Sequence, residues 1–492
     1  MKIWFGYDDV IYRGDITHQK NHYYYNRYEN ISVPINGHNI MHETSSLTSS
    51  KRVDHLTVSN QQYPFDTLLY NNGLTIERGS ACDLIKQNKK FVYILAPKYI
   101  MRLHSNIIPG AMRKIDNEWL YHFNYLMTVL SVDHITHINN GKCLFIINDI
   151  SECSWYTHDM LKSLRLMCGE IGLNYSKILI LTSNICNIKN VNVEKSGINV
   201  QYWQYWESAV KHLLCGSDIP YQNIKKPSRY KFLLLNSKPR RHRFYLCYKL
   251  WQLDKNFSNN FCVSLDKVPI NELYTCHDYA ARDGFYNSIS FFNDISEDVC
   301  INLNNFLQHL PFTTVYDMQF IETKLKNKLK SRQYVCNFNN ITEFFSIDHW
   351  DNIPEEMIYN TDIHIVTESL MEIKNTTEYS HLFLTEKTFK PIALKAPFII
   401  AAQPGALAHL RSNGYRTFHE CWNEDYDAIE DPQKRLDSII ETVLYIANAS
   451  TTAYSDIIRR AYEIAEYNYN IFIKRIPEKT VIDTVKDFFT EV

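Results

Sequence analysis

Six short, almost unbroken apolar runs set the terms on which this chain can fold: Phe91–Ala96, Lys142–Ile147, Ile178–Thr182, Tyr230–Leu235, Ile363–Thr367 and Pro397–Ala401. Each is strand length. A strand with one wet face alternates apolar and polar residues, so runs like these must be covered on both faces. Stretches with apolar residues at helical spacing lie between them. Met160, Leu161, Leu164 and Met167 share one side of a helix over Thr157–Gly169, and Phe244, Leu246, Leu250 and Leu253 follow the fourth run. Glu118–Val132 has the same spacing. Buried strands separated by helices build parallel sheets, so the fold class is α/β.

At 492 residues the chain exceeds the ~250–300 that one core usually serves. Residues 85–210 read as one α/β domain and a second begins at Tyr230. Asp218–Pro227, with two prolines and little periodicity, reads as the linker. Helices are expected over Thr385–Lys395 and Ala406–Asn413, and near 452–474 and 478–490. Asp431-Pro432 marks another helix start, with Leu436, Ile439, Ile440 and Val443 facing inward. The expected domains are 1–222, 228–475 and a final helix, 476–492, crossing back to the first. Residues 1–75, aromatic and Asn-rich, yield no clear element.

Composition removes several classes. With 45% hydrophobic and 22% charged residues the chain is not mainly disordered. Lys and Arg number 52 against 54 Asp and Glu, which argues against tight, sequence-blind nucleic-acid binding. No apolar run reaches the ~18 residues of a membrane span. Met1–Asp9 turns acidic too soon for a signal peptide. The 12 cysteines are scattered singly, without zinc spacing. A cytoplasmic protein with reduced thiols is the expectation.

Ligands of open α/β sheets sit beyond the carboxyl ends of strands, so the loops after the runs hold the candidate chemistry. Asn236, Arg240, Arg241, His242 and Arg243 follow a strand and open a helix. Guanidinium groups beside free helix amides suit phosphate oxygens. The alternative is a solvated basic turn. Further on stands Thr385-Glu386-Lys387-Thr388-Phe389-Lys390. Thr385 can cap a helix and Glu386 suits its dipole. A carboxylate can also bind ribose hydroxyls while an ammonium neutralises a diphosphate; the alternative is simple capping with a surface lysine.

Thr385-Glu386-Lys387, its helix, Ala396–Ile400 and Pro404-Gly405 resemble the donor-binding half of GT-B glycosyltransferases. The stretch is similar to the α-1,3-fucosyltransferase family and to phage-encoded glycosyltransferase-like proteins. In the latter an Asn-x-x-x-Arg-x-His-Arg element also opens the domain, as Asn236, Arg240, His242 and Arg243 do here. The resemblance covers roughly residues 230–445. It implies two Rossmann-like domains facing a cleft, and a nucleotide-sugar donor held by Asn236, Arg240, His242, Arg243, Thr385, Glu386 and Lys387. Glu386 would contact the ribose, Lys387 the diphosphate, and Arg240 or Arg243 the phosphates as the bond to the sugar breaks. A cationic clamp can stabilise that leaving group without a metal, so no cofactor is expected. Departures elsewhere from the fucosyltransferase pattern leave the sugar and nucleotide open.

Sugar transfer with inversion needs a carboxylate to take the acceptor's proton. Asp149, then Glu152, follow the strongest strand of the first domain; a turn-capping Asp149 with a solvated Glu152 is the alternative, and His158, His277 and His364 are further candidates. Asp425-Tyr-Asp427 matches the Asp-x-Asp metal pattern but lies in an acidic loop, so it is discounted. Tyr202–Trp206, rich in aromatics, suits either stacking of a sugar or base, or an interdomain core. No Gly-x-Gly-x-x-Gly, Walker or Gly-x-Ser-x-Gly pattern occurs. The expected acceptor is a hydroxyl: a hydroxymethylated viral DNA base, a glycan or a protein. The rival is a non-catalytic viral protein that binds a nucleotide or a host factor.

Overall fold

The structure, a computed structural model, describes residues 2–7, 23–26, 31–34, 74–95, 126, 130–150, 156, 158–215, 228, 230–236, 241–254, 260–265, 305–306, 312–313, 361–371 and 382–490. The chain forms two compact units. The first comprises Met1–Ser208, Glu378–His381 and Ile476–Val492; the second comprises Ala209–Thr377 and Leu382–Arg475. The division falls at Ser208, earlier than the expected 222, and the Asp218–Pro227 stretch lies outside the described residues.

The first unit holds β1 (Lys2–Tyr7), the antiparallel pair β2 (Tyr23–Asn26) and β3 (Ile31–Pro34), β4 (Thr75–Ser80), β5 (Phe91–Leu95), β6 (Cys143–Asp149), β7 (Ile178–Thr182) and β8 (Asn199–Tyr202). Six of these make one parallel sheet in the order β4-β1-β5-β6-β7-β8. Its helices are α1 (Ala81–Lys86), α2 (Val132–Asn139), α3 (His158–Ile171) and α4 (Val191–Ser196); α5 (Tyr205–Cys215) contains the division at Ser208.

The two faces can be read residue by residue. Phe91, Tyr93, Leu95, Phe145, Ile147, Ile178 and Ile180 pack with Leu84, Ile135, Ile138, Leu161 and Leu164 from α1, α2 and α3. The alternate residues Val92, Ile94, Ile146, Leu179 and Leu181 pack on the other face with Trp203, Val481, Ile482 and Val485. That opposite cover is the terminal helix Lys479–Thr490 of the same unit. Each fully buried side chain of this kind contributes about 1.5–3 kcal/mol, so a polar substitution on either face is felt. Gly6 of β1 is required by close approach: a Cβ there would come within 2.6 Å of the Phe91 ring.

The helix expected over Glu118–Val132 lies largely outside the described residues. The described helix, α2, starts where that stretch ends, and Ser131 caps it by accepting from the His134 amide at 3.3 Å. The Tyr202–Trp206 cluster contributes to the first unit's own core. Trp203 is fully buried within the first unit, and its Nε1 donates to Ser208 Oγ, which donates in turn to Glu478 Oε2 at 2.7 Å.

The second unit's sheet contains β9 (Tyr230–Asn236), β10 (Phe261–Leu265), β11 (Phe312–Thr313), β12 (Thr361–Thr367) and β13 (Phe398–Ala401) in the order β11-β10-β9-β12-β13. Only β11 among them runs antiparallel. Its helices are α6 (Arg241–Leu253), α7 (Glu386–Ala393), α8 (Ala406–Ser412), α9 (Pro432–Ala447) and α10 (Thr451–Lys474); α11 is the terminal helix Lys479–Thr490 already placed in the first unit. From β9 the chain passes to β10 on one side and later to β12 on the other. The strand order therefore reverses between β9 and β12, the place where open α/β sheets part to admit a ligand.

α9 starts as its sequence dictates: Asp431 Oδ1 accepts from the Lys434 amide at 2.8 Å, Pro432 fills the first turn, and Leu436, Ile439, Ile440 and Val443 are buried. Asp431→Ala should cost about 1 kcal/mol, measurable by urea unfolding; an unchanged midpoint would show that the cap contributes nothing. Among the described residues no helix is long and apolar enough to cross a membrane.

Candidate functional site

The site lies at the carboxyl edge of β9 and β12, at the reversal. Thr367 ends β12, and its hydroxyl donates to Asn236 Oδ1 at the end of β9 at 2.5 Å. Asn236 Nδ2 reaches Cys247 Sγ on α6 at 3.6 Å. The side-chain bond joins the two strands where their paths diverge.

Next comes Glu368, a residue the motif reading passed over. It is 0% exposed, and its backbone amide continues the sheet by donating to Ala401 O. Four donors converge on its carboxylate. Oε1 accepts from the Thr385 amide at 2.9 Å and the Thr388 hydroxyl at 2.6 Å. Oε2 accepts from the Thr385 hydroxyl at 2.6 Å and the Ser369 amide at 3.1 Å. A buried carboxylate is tolerated when its lone pairs are met in this way. Glu368 thus ties the start of α7 to the end of β12.

Thr385 plays two parts. Its hydroxyl donates to Glu368 and accepts from the Lys387 amide at 3.4 Å, which caps α7. Lys387 Nζ lies 2.7 Å from Glu386 Oε1, 3.2 Å from Thr385 Oγ1 and 3.5 Å from Ser369 Oγ. The Lys387 side chain is 30% exposed and that of Glu386 17%, so the pair faces outward from a buried base. Burial would raise the Glu386 carboxyl, but the charges of Lys387 and Lys390 outweigh it and hold the group below the usual carboxylate range.

His242, expected among the donor-binding residues, and Arg243, expected at the phosphates, both meet the end of β12 in this structure. Both are buried. His242 Nε2 lies 3.0 Å from Glu368 O, and Arg243 Nη2 donates to Thr367 O and Glu368 O, each at 3.2 Å. They brace the loop that carries Glu368 and Ser369. Arg240 lies outside the described residues. The guanidinium of Arg243 and the ammonium of Lys387 thus meet the same two-residue loop, from α6 and from α7.

In the first unit Asp149 ends β6, one strand beyond β5, which with β1 flanks that sheet's own reversal. Its Oδ2 accepts from the Tyr156 hydroxyl at 2.9 Å. Tyr156 is fixed in turn by Asn187 Oδ1, which accepts from its amide, and by Asn190 Nδ2, which donates to its carbonyl. Glu152 and His277 lie outside the described residues, and His158 is exposed. His364 is buried within β12, where burial pushes its imidazole down to about 4; it stays neutral and off the carboxyl edge.

Asp427 has a structural use. Its carboxylate accepts from the Leu407 and Ala408 amides at 2.9 Å each, capping α8. Among the described residues no group of His, Cys, Asp and Glu is placed to hold a metal. No protein-family model, curated protein or solved structure matches the chain.

Proposed function

We propose that the second unit binds the diphosphate of a nucleotide sugar at the β9/β12 edge. On this reading the protein is a metal-independent GT-B-type glycosyltransferase that moves the sugar to a hydroxyl acceptor. The supporting observation is the outward-facing Glu386–Lys387 pair held on the buried Glu368 hub where the strand order reverses. Glu386 offers an acceptor for ribose hydroxyls, and Lys387 offers charge to the diphosphate. As the bond from the sugar's anomeric carbon to the diphosphate oxygen breaks, the electron pair leaves with the diphosphate, and a fixed ammonium stabilises the charge that grows there. The acceptor oxygen forms the new bond while its proton passes to a carboxylate, Asp149 being the candidate. A hydroxymethylated pyrimidine in viral DNA, a glycan and a protein hydroxyl all offer that chemistry.

Thermal-shift titrations with UDP-, GDP-, CMP- and dTDP-sugars test the reading. A bound donor at 100 times its Kd should add about 2.7 kcal/mol to stability. The CMP sugar, with a single phosphate, should bind more weakly than the best diphosphate donor. Lys387→Ala should weaken that donor about 10- to 100-fold, the effect of losing one charged hydrogen bond. Failure of every donor to shift the wild type would sink the proposal.

A further inference from the structure

Tyr156 packs in the core on the face of the first sheet that α1, α2 and α3 cover, and its hydroxyl reaches the carboxyl edge at Asp149. It is 2% exposed and belongs to neither helix nor strand. A buried residue outside regular structure must find partners for its own amide and carbonyl. Here both partners are asparagine side chains of one segment. Asn187 Oδ1 accepts from the Tyr156 amide at 3.2 Å, and Asn190 Nδ2 donates to the Tyr156 carbonyl at 2.6 Å. Each asparagine uses its other end as well. Asn187 Nδ2 donates to Thr182 Oγ1 at 3.0 Å, and Asn190 Oδ1 accepts from the Asn192 amide at 2.9 Å, capping α4. Thr182 stands opposite Asp149 in the β6–β7 ladder. A closed circuit results: Asp149 to Tyr156, to Asn187, to Thr182, and back across the ladder to Asp149.

We infer that Tyr156 is the positioning residue of the proposed base: it holds one oxygen of the Asp149 carboxylate in a fixed direction and favours the charged form of that group. The inference rests on the reading of Asp149 as the group that takes the acceptor's proton. A base must be charged when the acceptor arrives, and a hydroxyl that donates to a carboxylate stabilises the charged form over the protonated one. Tyr156 is already immobilised at both of its backbone groups, so it loses little further freedom in making this bond. During transfer the acceptor's O–H bond breaks and its proton passes to Asp149, while Tyr156 keeps its own. Thr182, the ladder partner of Asp149, carries no charge, and His158, which opens α3 just beyond Tyr156, is exposed.

The carboxyl group can be followed without any substrate. Infrared difference spectra of the full chain, each protein against its Asp149→Asn counterpart, isolate the protonated-carboxyl band of Asp149 across a pH titration. The midpoint of that band should rise by about one pH unit in Tyr156→Phe, which keeps the ring and removes the donor. A ring-fluorinated tyrosine in place of Tyr156, a stronger donor, should move it the opposite way. A merely structural tyrosine would give no such pair of opposed shifts. The acid limb of the sugar-transfer rate, measured with the sugar nucleotide that gives the largest thermal shift, should follow the infrared midpoint in both proteins. A midpoint that stays in place in both overturns the role of Tyr156 and leaves Asp149 standing as the base. A midpoint that moves while the transfer profile does not overturns Asp149 as the base, and the inference with it. Absence of transfer to hydroxymethylated DNA, a glycan or a protein hydroxyl overturns the glycosyltransferase reading and this inference together.

Discussion

Glu368→Ala should destabilise the second unit by about 3–5 kcal/mol, the range for breaking a buried, fully hydrogen-bonded charge. The carboxylate receives two backbone amides and two hydroxyls, and all four lose their acceptor at once. Truncation also removes a negative charge that acts on the buried Lys390. For a unit of this size the melting midpoint should fall by roughly 10 °C. Glu368→Gln gives the sharper comparison. The threonine hydroxyls can turn and become acceptors, whereas the Thr385 and Ser369 amides cannot, and they lie on opposite carboxylate oxygens. Whichever way the glutamine amide points, one backbone N–H faces its NH2, so a loss of about 1–3 kcal/mol is expected. Alanine must therefore cost more than glutamine, and glutamine more than nothing. If alanine cost less than 1 kcal/mol, Glu368 would not be the hub, and the placement of Glu386 and Lys387 would need another explanation.

Much of this arrangement was legible in the amino-acid order, for physical reasons that differ by element. Strands β5, β7 and β13 are buried along their whole length, so their apolar runs stood out. β4 and β8 are edge strands, and Thr-Ile-Glu-Arg-Gly-Ser and Asn-Val-Gln-Tyr mix polar with apolar residues, so neither forms such a run. β1 lies inside its sheet, but its Lys-Ile-Trp-Phe-Gly-Tyr mixture hid it in the unreadable first 75 residues. At the candidate site, Thr385, Glu386 and Lys387 were visible because capping chemistry is local. Glu368 was not. Its partners Thr385 and Thr388 stand 17 and 20 residues away, and only the sheet brings them together. The rule that ligands gather beyond the carboxyl ends of strands, applied to Thr367, pointed at it and went unused. Arg243 is a different case. A run of basic residues says nothing about which of them turns inward, and this one is spent on backbone carbonyls.

Asp149→Asn should leave donor binding unchanged and lower sugar transfer by about 10²- to 10⁴-fold, the usual contribution of a general base. The substitution is nearly isosteric. Tyr156 can still donate its hydroxyl to the remaining carbonyl oxygen, so the bond that fixes the end of β6 survives. What disappears is the capacity to accept a proton from the acceptor hydroxyl as it attacks. The donor's thermal shift serves as the control that the nucleotide site is intact, and product formed at saturating donor is the measurement. The same pair of readouts separates the proposed enzyme from its rival, a binding module. An enzyme shows donor-dependent product on hydroxymethylated DNA, a glycan or a protein hydroxyl, and loses it in Asp149→Asn. A binding module shows the shift and forms no product with any of them, before or after the change. Transfer that persists at the wild-type rate in Asp149→Asn would remove Asp149 as the base and move the assignment to Glu152, three residues on in the sequence.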